Sequence, residues 1–385
     1  MFTLQRRIFD EEHEMLRESV QRFLADQVQP HLLQEWDDAG IVPRELYLKF
    51  GEQGLLAPQT PLEFGGPGGD FRSNAVVIEE VAYSGLSAAA FSVHSDIAAG
   101  YVLRFGTDDQ KREWLPRMVS GEAIGAIAMT EPGAGSDLQA MRTSAVRDGD
   151  DYVINGSKTF ITSGHHADLA ILAARTDTTA RGKGISLFLV EASRHGYRKG
   201  RRLKKIGLRH QDTAELHFDN VRVPATNLLG VEGSGFAQLM QELPQERLSV
   251  AVGAVAATRR AFDLTVDYVT ERKAFQRRVA EFQNTRFELA AIKAELTVAQ
   301  LYLDECIDRH LRAELTAEDA AIAKLWTTEF QGRSVDRCLQ LFGGYGYMSE
   351  YLISRIYVDA RVQRIYGGTS EIMKEIIARS IFGKQ

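Results

Sequence analysis

Two cysteines in 385 residues, Cys306 and Cys338, are too few and too widely separated to frame a disulfide network or a zinc site. Each is followed by apolar residues in helix-like sequence, so buried free thiols are expected. Net positive charge is also lacking. A formal charge of −6 removes any general attraction to nucleic acid or to anionic lipid. No apolar run approaches the roughly 18–20 residues that a bilayer-spanning helix needs. The N-terminal "MFTLQRRIFDEEHEML" carries acidic residues where a signal or transit peptide has none, so a cytoplasmic location without membrane insertion is expected. Internal repeats and low-complexity tracts are not evident. A chain of this length exceeds one ordinary core, and two or three domains are expected.

What is present falls into three textures. Residues 1–120 read as an N-terminal helical domain: Leu16, Val20, Phe23 and Leu24 form one apolar stripe, and Thr107 with Gln110 has capping-box spacing. The glycine-rich "EFGGPGGD" (63–70) lacks the Lys-Ser/Thr ending of a nucleotide-binding P-loop and reads as a turn. Residues 121–232 change to a period of two. "AELHFDN" alternates as a half-buried strand, "ISLFLV" is apolar on both faces, and Asp148-Gly149 and Asn155-Gly156 are hairpin-type turn signals around "YVI". A small, barrel-like β domain fits. Residues 233–385 return to long helices sufficient for a four-helix bundle.

Within the β segment, "AIAMTEPGAGSDLQA" (126–140) opens as a strand and breaks at Glu131-Pro132. Gly133 and Gly135 would let the backbone approach a ligand, and Thr130 and Ser136 add hydroxyls. Alone, that pattern fits a plain surface turn better than a ligand loop. Its neighbour "NGSKTFITSG" (155–164) adds the aromatic Phe160 and the hydroxyl of Thr162, a combination suited to a flat, hydrogen-bonding heterocycle. Near the C-terminus, "RIYGGTSEIMKE" (364–375) runs Gly367, Gly368, Thr369 and Ser370 into a helix. A start of that kind leaves N–H groups free for an anion or for an oxygen that gains charge.

"AMTEPGAGSD", "FITSG", "ERKAF", "FQNTRFELA", "QLFGGYGYM" and "IYGGTSEIM" occur in one order, within a resemblance that covers about residue 6 to residue 382. Together they resemble the acyl-CoA dehydrogenase family, and "ELPQERL" with "IYGGTSEIMKEIIARS" resembles its long-chain branch most. The resemblance implies an N-terminal helical domain, a middle β domain and a C-terminal four-helix bundle, assembled as a homotetramer. It also implies FAD as cofactor, a fatty acyl-CoA of medium to long chain as substrate, a trans-2-enoyl-CoA product and an electron-transfer flavoprotein as electron acceptor.

The reaction needs a base for the α proton, a hydride acceptor and donors to the thioester oxygen. Many family members carry the catalytic glutamate at the position filled here by Gly367; the long-chain and isovaleryl-type branches take it instead from the helix that passes over the same side of the flavin, where Glu246 matches. Read without that match, Glu246 is explained by ordinary capping electrostatics, since Pro244 favours a helix start and a first-turn carboxylate is stabilised by the dipole. The resemblance further implies that the Gly367 N–H and an FAD ribitol hydroxyl donate to the thioester oxygen. It sets Met129, Thr130, Gly135, Ser136, Phe160 and Thr162 around the flavin, with Ser136 also at the substrate boundary. Arg272, Phe275, Phe282 and Gln283 match the pyrophosphate and adenosine end, Gln340, Gly343 and Gly344 a neighbouring subunit's cofactor, and Thr369 and Glu371 contacts at the last helix. Arg247, Gly368, Phe236 and Met240 match the substrate side.

Phe160, Ser163 and Gln276 depart from the residues common in the family, which are tryptophan, asparagine and glycine. The small residues Ala98, Ala99 and Gly100 are candidates for a deep acyl pocket, though helix packing accounts for them equally well. The basic run 194–210 reads as a solvated hairpin. The competing readings are a flavin monooxygenase on the same fold, which would need no such carboxylate, a dehydrogenase of branched or carrier-protein-bound acyl groups, and a non-catalytic helical interaction protein.

Overall fold

The stripe of Leu16, Val20, Phe23 and Leu24 lies on α1 (Glu11–Gln27) in the computed structural model, which describes residues 6–180 and 182–383. Val20 and Leu24 are buried, and Leu16 and Phe23 pack at the margin of the same core. Six further helices complete the first segment: α2 (Pro30–Ala39), α3 (Arg44–Glu52), α4 (Phe71–Ser84), α5 (Ala88–Ser92), α6 (Ala99–Phe105) and α7 (Asp108–Val119). Both halves of the Thr107–Gln110 capping box form at the start of α7. Between α5 and α6 the chain takes a π-helical turn, Val93–Ala98.

The middle segment contains β1 (Gly125–Ala128), β2 (Ser144–Asp148), β3 (Asp151–Thr162), β4 (Leu169–Arg175), β5 (Ile185–Glu191), β6 (Tyr197–Arg202), β7 (Thr213–Pro224) and β8 (Leu228–Leu229). They make one sheet in the order β6-β7-β3-β2-β4-β5-β8, with β1 parallel to β4. Along β4, Leu169, Ile171 and Ala173 face the core shared with Trp114, Leu115 and Met118 of α7. Ala170, Leu172 and Ala174 face a second core with Phe188, Leu216 and Val221. Both faces of this strand are covered, which is why its sequence is apolar without alternation. The edge strand β6 holds much of the basic run, largely exposed.

Asp148-Gly149 turns the β2–β3 hairpin, with Gly149 at φ +64°. Asn155-Gly156 does not turn; it lies inside β3, where the pairing with β7 shifts register between Ile154 and Gly156. A bulge needs the same permissive residues as a turn, and a Cβ on Gly156 would come within 2.5 Å of Thr143 Oγ1.

The last segment comprises α8 (Gly235–Glu271), a short hairpin of β9 (Lys273–Ala274) and β10 (Arg277–Arg278), then α9 (Gln283–Leu311), α10 (Ala317–Phe342), α11 (Leu352–Ala360) and α12 (Ser370–Phe382). Helices α8, α9 and α10 pack on one another and on α4 through Leu248, Ala251, Val252, Leu296 and Phe330, and α12 lies along α10. Both cysteines are free and buried in this bundle.

Pro244 does not start a helix: α8 runs through it for 37 residues. An interior proline costs about 3 kcal/mol. The buried residues Leu239, Gln245, Leu248, Ala251 and Val252 on either side supply enough packing to outweigh it. Glu246 is therefore a mid-helix residue without the dipole stabilisation of a first turn.

Candidate active site

A cavity of about 460 Å³ opens where four elements meet. Its walls are the ends of β1 and β3, the α5–π-turn face, the N-terminal half of α8, and the loop leading into α12.

The first wall depends on a buried ion pair. Lys158, wholly buried on β3, donates from Nζ to the Met129 carbonyl at 2.9 Å and to Glu131 Oε1 at 2.8 Å. Glu131 also accepts the N–H groups of Arg142 (2.6 Å) and Thr143 (2.9 Å), and the Thr159 N–H donates to the Thr130 carbonyl (2.9 Å). Burial raises the Glu131 carboxyl, but Lys158 and these N–H donors outweigh it and hold it below the usual carboxylate range; burial lowers Lys158 to about 8. The loop is thereby tied at both ends, and Met129, Thr130, Gly135 and Ser136 line the cavity. A Cβ on Gly133 or Gly135 would meet nothing within 4 Å, so the protein's own packing does not demand glycine there.

β3 ends in a second register shift, and there Phe160 adopts φ +59° with 67% of its surface exposed, beside Ile161 and Thr162 on the cavity wall. Non-glycine residues held at positive φ concentrate at functional sites. The Thr162 hydroxyl accepts from Gln211 Nε2 (3.2 Å), whose amide oxygen accepts from Ser87 Oγ (2.6 Å).

α8 contributes Phe236, Met240, Leu243, Glu246, Arg247 and Val250 to the wall. The Glu246 carboxylate is buried and accepts from the Tyr101 hydroxyl at 3.0 Å. Burial pushes its pKa up to about 7, with the Glu242 charge adding to the rise and the Tyr101 hydrogen bond and Arg247 opposing it. Arg247 is buried as well, and its Nε has no hydrogen-bond partner among the described residues. Opposite, Gly367 and Gly368 adopt φ +63° and +94°. Lys324, wholly buried on α10, donates to the Gly368 carbonyl (2.7 Å), while neither glycine N–H finds an acceptor among the described residues. A Cβ at Gly367 would meet only Val250 Cγ2 at 3.7 Å, so backbone conformation rather than lack of space constrains the position.

Of the sequence-derived candidates, Met129, Thr130, Gly135, Ser136, Phe160, Thr162, Phe236, Met240, Glu246, Arg247, Gly367 and Gly368 come together here. Arg272, Gln340, Gly343 and Gly344 meet in a second pocket, where the Arg272 guanidinium lies over the Tyr345 ring. Phe275, Phe282, Gln283, Thr369 and Glu371 line neither. Phe275 and Gln276 form the two-residue turn of the β9–β10 hairpin at φ +49° and +61°, a conformation that favours the glycine common there in the family. Phe275 is 90% exposed and meets Phe282 edge-on. Thr369 caps α12 by accepting the Ile372 N–H (3.3 Å). Ala98 and Ala99 face the core with Trp114 and Met118 instead of the cavity, and Gly100 is likewise outside it. The α5–π-turn wall is made by Ala89, Ser92, Val93 and Ile97.

Tyr101, Glu242, Lys158, Gln211 and Lys324, which support these walls, escaped the sequence reading. Their partners lie far away in the chain, 145 residues for Tyr101 and Glu246, and no local pattern carries such a signal.

Family models for the acyl-CoA dehydrogenase N-terminal, middle and C-terminal domains match residues 10–122, 126–221 and 233–382. The chain belongs to the acyl-CoA dehydrogenase family. It is 52% identical over 378 residues to the mitochondrial long-chain specific acyl-CoA dehydrogenase of Sus scrofa, covering 98% of this chain and 88% of that one. The crystal structure of an acyl-CoA dehydrogenase from Geobacillus kaustophilus superposes with a TM-score of 0.96 at 46% identity, covering 98% of this chain and all of that one. A glutaryl-CoA dehydrogenase from Mycobacterium smegmatis, solved in complex with FADH2, superposes at 0.92 with 30% identity, covering 98% and 96%. The three-domain acyl-CoA dehydrogenase fold expected from the sequence is the one observed. No helix among the described residues is long and apolar enough to cross a membrane.

Proposed function

We propose that this acyl-CoA dehydrogenase removes the α proton and β hydride of a medium- to long-chain fatty acyl-CoA, with Glu246 as the catalytic base. The observation that carries the reading is the Glu246 carboxylate. It sits buried on the wall of the same cavity as Gly367 and the Met129–Phe160 wall, with its pKa pushed up to about 7. A carboxylate at its ordinary value of about 4.3 is a weak base; one near 7 is matched to proton transfer at neutral pH.

The cavity's chemistry fits FAD. Apolar and aromatic walls from Met129, Phe160 and Ile161 suit a flat ring, Thr130, Ser136 and Thr162 offer hydroxyls, and the open Cβ positions at Gly133 and Gly135 leave the backbone approachable. FAD, when bound, supplies the hydride acceptor. The Gly367 N–H, without an acceptor among the described residues, donates to the thioester oxygen, a contribution worth about 3–4 kcal/mol for one such donor. Arg247, Phe236, Met240 and Gly368 serve the acyl side. Arg272 holds the pyrophosphate and adenosine end of the cofactor, and Gln340, Gly343 and Gly344 reach the cofactor of a neighbouring subunit, in a homotetramer of chains divided at about residues 120 and 232. Electrons leave to an electron-transfer flavoprotein. The 52% identity to a long-chain specific enzyme supports the chain-length assignment.

The test is anaerobic titration with saturated acyl-CoAs from short to long, following loss of the visible flavin band, for wild type and Glu246→Gln. Wild type bleaches with medium to long chains. Glu246→Gln keeps its colour and binds acyl-CoA but is reduced about 10²–10⁴-fold more slowly. Reduction of the variant at the wild-type rate would place the base elsewhere.

A further inference from the structure

The N-terminal helical segment reaches the reacting carboxylate through one side chain. Tyr101, on α6, is wholly buried, does not line the cavity, and donates its hydroxyl to Glu246 Oε1 at 3.0 Å. Apart from Glu246, the phenol has no other polar partner among the described residues. One turn before Glu246 on α8 stands a second buried carboxylate, Glu242, paired with Arg104 of the same α6 helix at 3.1 Å. Residues three or four apart on a helix share a face, so α6 presents a phenol to one carboxylate and a guanidinium to the other.

Charged and titratable groups stand around Glu246 on several elements, among them His310 of α9, which meets the Gln245 amide oxygen at 3.1 Å and lies in the field of Arg104, and Glu375 and Arg379 of α12 on the cavity wall. α6 supplies Tyr101 and Arg104, and α8 supplies Glu242 and Arg247. Lys324 approaches Arg247 from α10 and is turned onto the Gly368 carbonyl, and Tyr366 stands on the loop before α12. Asp96, on the π-turn, is engaged by Asn74 and Ser92 instead.

Resting on the reading of Glu246 as base, we propose that Tyr101 is its positioning residue. The hydroxyl fixes the carboxylate's rotamer and stabilises its ionised form, while Glu242, held by Arg104, opposes ionisation and keeps the base from becoming too weak. The two act with opposite sign. The hydrogen bond lowers the Glu246 pKa and the Glu242 charge raises it, against a burial effect that dominates both. Glu242 is itself pushed up to about 7 by burial, with Arg104 opposing, so the two carboxyls titrate over the same pH range and the Glu242 charge is felt most at its upper end.

The experiment reads the Glu246 carboxyl and the chemistry separately in the FAD-loaded enzyme. The infrared carboxylic-acid band that disappears in Glu246→Gln is titrated in wild type, Tyr101→Phe and Glu242→Gln. The anaerobic flavin reduction rate is followed over the same pH range. The wild-type midpoint is expected near pH 7. In Tyr101→Phe it moves up by about one pH unit, so that reduction at pH 6 falls about tenfold while the rates converge at high pH. In Glu242→Gln it moves down. A Tyr101→Phe midpoint that stays at the wild-type value overturns the proposal. Should that variant fail to hold flavin, 3-fluorotyrosine at position 101 decides, since its more acidic phenol donates a stronger bond: a lowered Glu246 midpoint supports the contact and an unmoved one overturns it. If the infrared midpoint shifts as expected but the reduction rate does not track it, the positioning contact stands and Glu246 is not the base. If the two track each other and neither variant moves them, the base stands and the positioning role falls.

Discussion

Glu131→Gln tests whether the wall beside the flavin site depends on one buried ion pair. The substitution leaves the wholly buried Lys158 ammonium with only the Met129 carbonyl for a partner. It also sets a neutral amide against the N–H donors of Arg142 and Thr143, which now share a carboxylate. Removing one partner of a buried pair costs about 3–5 kcal/mol, enough to lower a melting temperature by roughly 10 °C. The damage is local first, because the pair closes residues 129–143, which carry Met129, Thr130, Gly135 and Ser136 to the cavity. Flavin fluorescence is therefore expected to rise, as the cofactor is released, at a lower temperature than the loss of far-ultraviolet dichroism. The pH dependence has a definite sign. The folded Glu131 carboxyl is held low, so its contribution is present above the ordinary carboxylate pKa and is lost as pH falls through the folded value. Adding Lys158→Met to Glu131→Gln removes the orphaned charge and should recover more than half of the loss. A Glu131→Gln protein that melts with wild type and keeps its flavin would refute the argument.

Two further outcomes are expected. Val93→Phe, on the π-turn face of the cavity, shortens the preferred acyl chain in the bleaching titration, whereas Ala99→Val lowers the melting temperature by overpacking the Trp114 core and leaves chain-length preference alone; the reverse pattern would mean that the acyl chain lies elsewhere. Gly367→Ala meets no steric obstacle but must hold φ +63°, which costs about 1–2 kcal/mol, so stopped-flow reduction should slow by about tenfold or more with the flavin colour retained. An unchanged rate would remove this loop from the reaction.

Much of this architecture was legible residue by residue. The change of period at the β segment, the alternation in β7, the two-faced burial of β5, the capping box at Thr107 and the burial of both cysteines all follow from local chemistry. Local chemistry misled in two places. Asn155-Gly156 has the composition of a hairpin turn, and only the register against β7 makes it a bulge. Pro244 has the character of a helix start, and only packing along the rest of α8 carries the helix through it. The second misreading bears on the site, since a first-turn Glu246 would be stabilised as an anion, whereas the mid-helix, buried Glu246 is pushed toward its neutral form.

The sequence by itself determined the family, the order of the three segments and the residues carried on its short motifs, because those signals reside in contiguous stretches whose backbone needs are local. Tertiary structure alone decided which of them share a cavity, that Ala98 and Ala99 face a core, that Lys158 and Lys324 anchor the two loops, and that Tyr101 meets Glu246 across 145 residues of chain. Burial and charge pairing are properties of neighbours in space. The strength of a base is set by those neighbours, and no short stretch of chain contains them.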